Sequence, residues 1–382
     1  MNIPFNRPSY DETEAMAVAD VVRSGAIVGD GAWTQRATEE LKRQLGAEHV
    51  LLTPSCTHAL ELAIMTLNLR GADEVIVPSF AYPSSAACVL RGGGRLVFAD
   101  IRADTLSLDP GDFRRRITPK TKVVIPLNYA GITADMNELC AVAHEHAITV
   151  IEDAAQGMAS FYHGRPAGTI GDIGNLSFHE TKNYSTGEGG AFITNDPDIA
   201  ARAEIIREKG TNRGDFVRGL TDKYVWITPG SSLLPPDTMG ALLLSQLAKR
   251  KWIQATRKRI YEDYVHTLTP LAERGELTLP TIPPGSESNH HIFHVLMRDA
   301  EACDRAIVFF QERGISVTRH YQPLHLSPMG LGMGYQPGAL PVTESLYNRL
   351  LRLPIYPTLT QAEQEHVIHT MLLFFDPAEA RQ

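Results

Sequence analysis

Lys182 stands in the run Phe178-His179-Glu180-Thr181-Lys182-Asn183-Tyr184, just ahead of Gly187-Glu188-Gly189-Gly190. Upstream, an apolar stretch ends in acid at Val150-Ile151-Glu152-Asp153-Ala154-Ala155-Gln156. A lysine amine condenses with an aldehyde to a Schiff base, and a carboxylate pairs with a protonated pyridine nitrogen. Those are the two protein groups that pyridoxal phosphate (PLP) chemistry most needs. Neither suffices alone. Lysines in polar segments are usually solvated cations, and an Asp after a strand is usually a turn or helix cap. The chemistry also requires a phosphate site, a ring-stacking residue and a fold that gathers all of these at one edge.

Candidates for each are present. Thr53-Pro54-Ser55-Cys56-Thr57-His58 puts small hydroxyls where a helix begins, because Leu60, Ile64 and Leu67 recur at helical spacing. Unpaired N–H groups and partial positive charge at a helix start suit a phosphate, although a plain Ser/Thr N-cap has the same pattern. Ser79-Phe80-Ala81-Tyr82-Pro83-Ser84 follows an apolar run, so Phe80 or Tyr82 can cover a flat ring or serve as a core aromatic. Asp153 would keep a ring nitrogen protonated, and Gln156 would reach a ring hydroxyl. Lys182 would then form the Schiff base and, once released, shuttle the proton.

Other constellations are weaker. Gly168-x-x-Gly171-x-x-Gly174 lacks the strand–Gly–helix setting of a dinucleotide fingerprint. His144 and His146 point in different directions on a helix, and His290, His291 and His294 have no carboxylate or cysteine at ligand spacing. No metal site is expected. The loop His320-Tyr321-Gln322-Pro323-Leu324-His325 is the better functional candidate.

At 382 residues the chain can hold two domains, and its net charge of -8 argues against nucleic acid and polybasic membrane contacts. The opening residues lack a basic n-region and apolar h-region, and four scattered cysteines form no C-x-x-C pair. A cytoplasmic location with no membrane partner is expected. The first two-thirds alternates strand-like and helix-like segments, as in a largely parallel α/β sheet. Strands are expected at 74–78, 96–100, 122–126 and 149–152, with a crossover helix from Met136 to His146. A long amphipathic stretch from Ser245 through Tyr264 opens a smaller α+β unit. That unit carries a strand at Ile292–Met297, a helix at Ala300–Arg313 and a strand at Ile315–Val317. The expected division is residues 1–245 and 246–382.

Taken in order, these stretches resemble the DegT/DnrJ/StrS family of PLP-dependent nucleotide-sugar aminotransferases. The resemblance extends from Ser24-Gly25 and Gly29-Asp30-Gly31 to Tyr321-Gln322-Pro323-Leu324-His325. The matches are densest with the branch that makes TDP-4-amino-4,6-dideoxygalactose. The resemblance implies fold-type I, like aspartate aminotransferase, with a large mixed, mostly parallel sheet domain and a smaller α+β C-terminal domain. It assigns Lys182 to the covalent linkage, Asp153 to the pyridine nitrogen, Gln156 to the ring hydroxyl and Tyr82 to stacking. Cys56, Thr57 and Ser177 match phosphate positions, and Ser232 replaces the usual Asn that a homodimer partner lends. Asp30, Asn128, Tyr321 and His325 fall where the sugar is expected. Retention of Lys182 separates the chain from the family's lysine-less dehydratases.

The implied reaction moves the amine of L-glutamate, through the pyridoxamine form of the cofactor, to C4 of TDP-4-keto-6-deoxyglucose. Alternatives are a 3-keto sugar substrate or a PLP-binding regulator without turnover. Relatives commonly carry His where Asn128 stands. With the excess of arginine over lysine, of the kind found in GC-rich bacterial genomes, this favours the gluco over the galacto product.

Overall fold

The computed structural model describes residues 1–376. Its centre is a seven-stranded sheet. The strands stand in the spatial order His49–Thr53, Gly190–Thr194, Ile173–Ser177, Thr149–Asp153, Thr121–Val124, Glu74–Pro78, Arg95–Ala99. Gly190–Thr194 runs antiparallel to both neighbours, and the remaining pairs are parallel. The middle strands are buried along their length, which is why they read as β-branched runs rather than alternating patterns. Helices cover both faces, and the carboxyl ends of the parallel strands form the edge where open α/β sheets hold ligands.

Two features fix that edge. Glu152 and Asp153 are neighbours on one strand and therefore point to opposite faces. Glu152, fully buried, accepts hydrogen bonds from Asn128 Nδ2 (2.7 Å) and from the N–H groups of Ile170 and Gly171. The glycines of 168–174 permit this wrapping. A Cβ on Gly174 would meet the Gly168 carbonyl oxygen at 1.9 Å, and one on Gly171 would meet the Val150 carbonyl at 2.8 Å. The second feature is the hairpin joining Ile173–Ser177 to Gly190–Thr194, which carries Lys182. It closes through Phe178 N–H to Gly189 O and Glu180 N–H to Gly187 O, both at 2.8 Å.

The second sheet is antiparallel and has three strands, Leu277–Thr278, Phe293–Met297 and Leu350–Leu353. Ala300–Gln311 and Gln361–Phe375 are helices of this part of the chain. The N-terminus joins this layer, because Ile3 bridges Ile315 and packs into its core. The expected strand at Ile315–Val317 is not formed. Only isolated bridges occur at Ile315 and Thr318, since Ile315 has a single partner residue rather than a strand edge. The expected long amphipathic stretch is two helices, Asp237–Ala248 and Arg250–Glu273, broken at Lys249. Among the described residues no helix is long and apolar enough to cross a membrane.

Arg257, on Arg250–Glu273, braces the C-terminal part from a fully buried position. Its Nη1 donates to the carbonyls of His290, His291 and Ile355 at 3.1–3.3 Å. Burial pulls its guanidinium down to about 9. Replacing it strands three buried carbonyls, so Arg257→Met should cost about 2–4 kcal/mol in urea unfolding. A change within about 0.5 kcal/mol would show that the strut is dispensable.

Candidate active site

One cavity of about 810 Å³ opens at the carboxyl edge of the large sheet and is closed from the other side by the small sheet. The first wall is the start of helix Cys56–Leu67. Ser55 caps it, its Oγ accepting from His58 N–H at 3.2 Å, which leaves the N–H groups of Cys56 and Thr57 without partners inside the helix. Gly190 lets the neighbouring strand pass this start, because a Cβ there would lie 2.4 Å from the Cys56 nitrogen. Thr57 and Ser84 share a hydroxyl hydrogen bond of 2.7 Å, and Ser177 lies on the same cavity.

The second wall is the strand end at Asp153. Its backbone is held by Pro126 and Asn128 at 2.9 and 3.0 Å, and its carboxylate accepts from Ser85 Oγ (2.6 Å) and Ala155 N–H (3.1 Å). Burial pushes this carboxyl above the usual range, against the pull of Ser85, the Ala155 N–H and the Lys182 charge. The Lys182 amine moves the other way. Burial pulls it below its ordinary value, with Asp153 among the groups opposing and Arg352 adding to the shift. Among the described residues neither group takes part in an ion pair. Asn183 anchors the lysine loop by donating to the Asn289 carbonyl and accepting from His291 Nδ1, both at 2.9 Å.

The third wall is aromatic. Tyr321 stacks on His320 with centroids 4.1 Å apart and meets Phe80, Tyr82 and Tyr129 edge-on. Gln156 donates to Tyr321 Oη and accepts from Ala130 N–H, both at 2.7 Å. Tyr82 is 61 % exposed, at the open rim.

Cys56, Thr57, Tyr82, Asp153, Gln156, Ser177, Lys182 and Tyr321 therefore share one cavity. Four other sequence candidates do not line it. Asn128 is fully buried behind the strand, donating to Glu152 and accepting from Ala134 N–H at 2.9 Å. His325 is fully buried between Ser79 (2.7 Å) and Glu344 (2.9 Å). Asp30 pairs with Arg207 at 2.5 Å, in a loop pressed so tightly on the Pro235-Pro236 segment that a Gly29 Cβ would meet the Pro235 oxygen at 2.6 Å. Ser232 lies on an exposed loop, bridged to Glu208. Asn128 and His325 are thus each held between two hydrogen-bond partners, outside the cavity lining. Sequence reasoning missed Ser85, His291 and Arg352. The only signal for Arg352 was a lone charge in the apolar run Leu350-Leu351-Arg352-Leu353.

Comparison with known proteins follows the same lines. The DegT/DnrJ/EryC1/StrS aminotransferase family model matches residues 8–372. A "pleiotropic regulatory protein" of Geobacillus stearothermophilus is 31 % identical, covering 98 % of this chain and 99 % of its own. The putative sugar aminotransferase Spr1654 of Streptococcus pneumoniae has been solved in apo, PMP and PLP forms. Its PLP form superposes with a TM-score of 0.91 at 27 % identity, covering 99 % of each chain. DesV of S. venezuelae superposes with a TM-score of 0.89 at 30 % identity, covering 97 % of each. PLP fits the cavity by its donor set, with an open helix start for the phosphate, an acid for the ring nitrogen and an unpaired amine for the aldehyde.

The raised Asp153 carboxyl has a consequence in the cofactor-free protein. A raised folded-state value means stability from this group is present at low pH and lost as pH rises through that value. Asp153→Asn should therefore raise the melting temperature of the cofactor-free protein at pH 7, with the gain shrinking as pH falls. A lower melting temperature at pH 7 would contradict the burial argument.

Proposed function

The chain belongs to the DegT/DnrJ/EryC1/StrS aminotransferase family and is a PLP-dependent sugar aminotransferase. From that premise we propose that it transfers the amino group of L-glutamate to C4 of TDP-4-keto-6-deoxy-D-glucose, releasing 2-oxoglutarate. The PLP chemistry of this reading is carried by the Lys182 amine and Asp153 carboxylate on one cavity beside an open helix start, and its sugar and donor are carried by the ordered stretches that resemble the TDP-sugar branch of the family.

When bound, PLP supplies an aldehyde that accepts the donor's amine and a ring that takes up the electron pair left by proton removal. Asp153 keeps a proton on the ring nitrogen, its position fixed by Ser85 and Ala155. The N–H groups of Cys56 and Thr57, with the hydroxyls of Thr57 and Ser177, hold the phosphate. Tyr82 would cover the ring and Gln156 would orient it, both lining the cavity. Lys182 would hold the group through its aldehyde and, when its amine is free, would serve as the base that holds or returns the proton of the amine-bearing carbon. Burial lowers its basicity, which enlarges the neutral fraction available as a base near neutral pH.

The protein acts as a homodimer with shared sites. Support comes from Phe216, Val217, Leu220, Tyr224, Val225 and Trp226, an exposed apolar run ahead of Gly230-Ser231-Ser232. Ser232 then serves the partner's cavity and not its own. A solution mass of twice the 42.1 kDa chain is expected by light scattering, and a monomer would contradict shared sites.

Borohydride reduction of the loaded protein should place the cofactor's mass on the peptide bearing Lys182. Lys182→Ala should show no such adduct and lose about 10²–10⁴-fold in turnover. Full turnover by that variant would sink the assignment. Incubation with PLP, glutamate and TDP-4-keto-6-deoxyglucose should yield a 4-amino sugar, and the C4 proton coupling in its NMR spectrum distinguishes gluco from galacto. Since Asn128 is walled off from the cavity, it gives no basis for the gluco preference. Amination of a 3-keto sugar alone would move the substrate. Cofactor binding without any amine transfer would favour a regulator, the role named for the Geobacillus relative.

A further inference from the structure

Among the described residues four asparagines are buried, Asn128, Asn175, Asn183 and Asn289. Three of them are hydrogen-bonded at both ends of the amide. Asn128 bridges Glu152 and Ala134, Asn183 bridges Asn289 and His291, and Asn289 holds the main chain of Gln156, Met158 and His291. Asn175 is the exception. It is fully buried, and neither its Nδ2 nor its Oδ1 has a partner among the described residues. A buried amide with neither end bonded is costly, and such a group calls for a reason. Its place in the sheet supplies one. Asn175 stands on Ile173–Ser177 in register with Asp153 on one side and with Phe192 on the other. Side chains in register on neighbouring strands share a face, the strands being about 4.8 Å apart. Ile151, Ile173 and Phe192 are on that face too, packed in one apolar cluster with Ala59, Leu60 and Ala63 of helix Cys56–Leu67. Across the ladder, Asp153 is therefore the polar side chain set beside this amide.

We infer that Asn175 is a positioning residue for Asp153, its amide N–H donating to that carboxylate once the cofactor's ring nitrogen stands against it. The inference rests on the PLP reading of the cavity and adds the group that helps keep Asp153 ionised there. An ionised carboxylate has about four sites for donors. Ser85 Oγ takes one on Oδ2 and the Ala155 N–H takes one on Oδ1, and a ring N–H would take a third. A turn of the Asn175 side chain brings a further donor from within the sheet. Each donor lowers the basicity of the carboxylate, so the shared proton stays on the ring nitrogen and does not pass to Asp153. Without the cofactor, burial favours the neutral carboxyl, which needs that donor least.

The test binds PLP labelled with nitrogen-15 in the ring to the wild-type protein, Asn175→Val and Asn175→Thr. The two new side chains match in shape, and only the threonine keeps a donor. At neutral pH the wild-type ring nitrogen should resonate in the protonated range. Asn175→Val should move the resonance toward the unprotonated range, and Asn175→Thr should stay closer to wild type. Without cofactor the order reverses. Asn175→Val should melt no lower than Asn175→Thr, whose hydroxyl is then buried with no ionised acid to receive it. Asn175→Ala and Asn175→Ser give the same contrast should the branched pair fail to fold. An unchanged resonance in Asn175→Val would overturn the inference and leave the PLP reading standing. Equal shifts in both variants would also overturn it, since packing and not donation would then be the cause. So would a cofactor-free Asn175→Val that melts below Asn175→Thr, because the donor would already be in use. An unprotonated nitrogen in the wild type would instead remove Asp153 from the ring, and the inference with it.

Discussion

A carboxylate and an amine held at one buried cavity, with no ion pair to satisfy either, is the constraint around which the rest of the fold is arranged. Desolvation penalises both charged forms, raising Asp153 and lowering Lys182. Such an arrangement persists only where the backbone is over-determined. Asp153 is locked by the main chain of Pro126 and Asn128 on one side and by Ser85 and Ala155 on the other. Its neighbour Glu152 pins the reverse face by collecting Asn128 and the N–H groups of 170–171. Lys182 is carried on a hairpin loop closed by its own ladder and tied through Asn183 to Asn289 and His291. Those two residues come from the C-terminal third of the chain, so the lysine loop is held only when that third has packed against the large sheet.

The charge distribution complements that scaffold. The chain carries a net charge of -8, yet the cavity gathers Lys182, Arg352 and the positive end of helix Cys56–Leu67. An anionic ligand at this cavity would therefore meet local donors set against an unfavourable overall field. Tyr82 at the open rim and the apolar run at 216–226 are exposed in the single chain.

The parallel core was legible because fully buried strands write themselves as β-branched runs, and Glu74–Pro78 and Thr149–Asp153 are examples. Lys182, Asp153 and the Ser55-Cys56-Thr57 helix start were legible because loops after strands, and helix starts, keep their chemical residues close together in sequence. What could not be read was direction. Asn128 and His325 are polar residues in functional-looking stretches, but their side chains face Glu152 and Glu344 behind the cavity. The Gly168–Gly174 spacing had no visible purpose until the Glu152 carboxylate was seen inside it. Arg352 was hidden for the opposite reason, because a single charge within a buried strand gives no sign in the sequence of the cavity it lines.

The proposed contact between Asp153 and the cofactor's ring is most directly tested by nitrogen-15 NMR of the protein loaded with PLP labelled at the pyridine nitrogen. A chemical shift in the protonated range that stays constant between about pH 6 and pH 9, and moves to the unprotonated range in Asp153→Asn, is the expected result. An unprotonated nitrogen in the wild-type protein at neutral pH would contradict the placement of Asp153 at the ring, and with it the reading of the cavity.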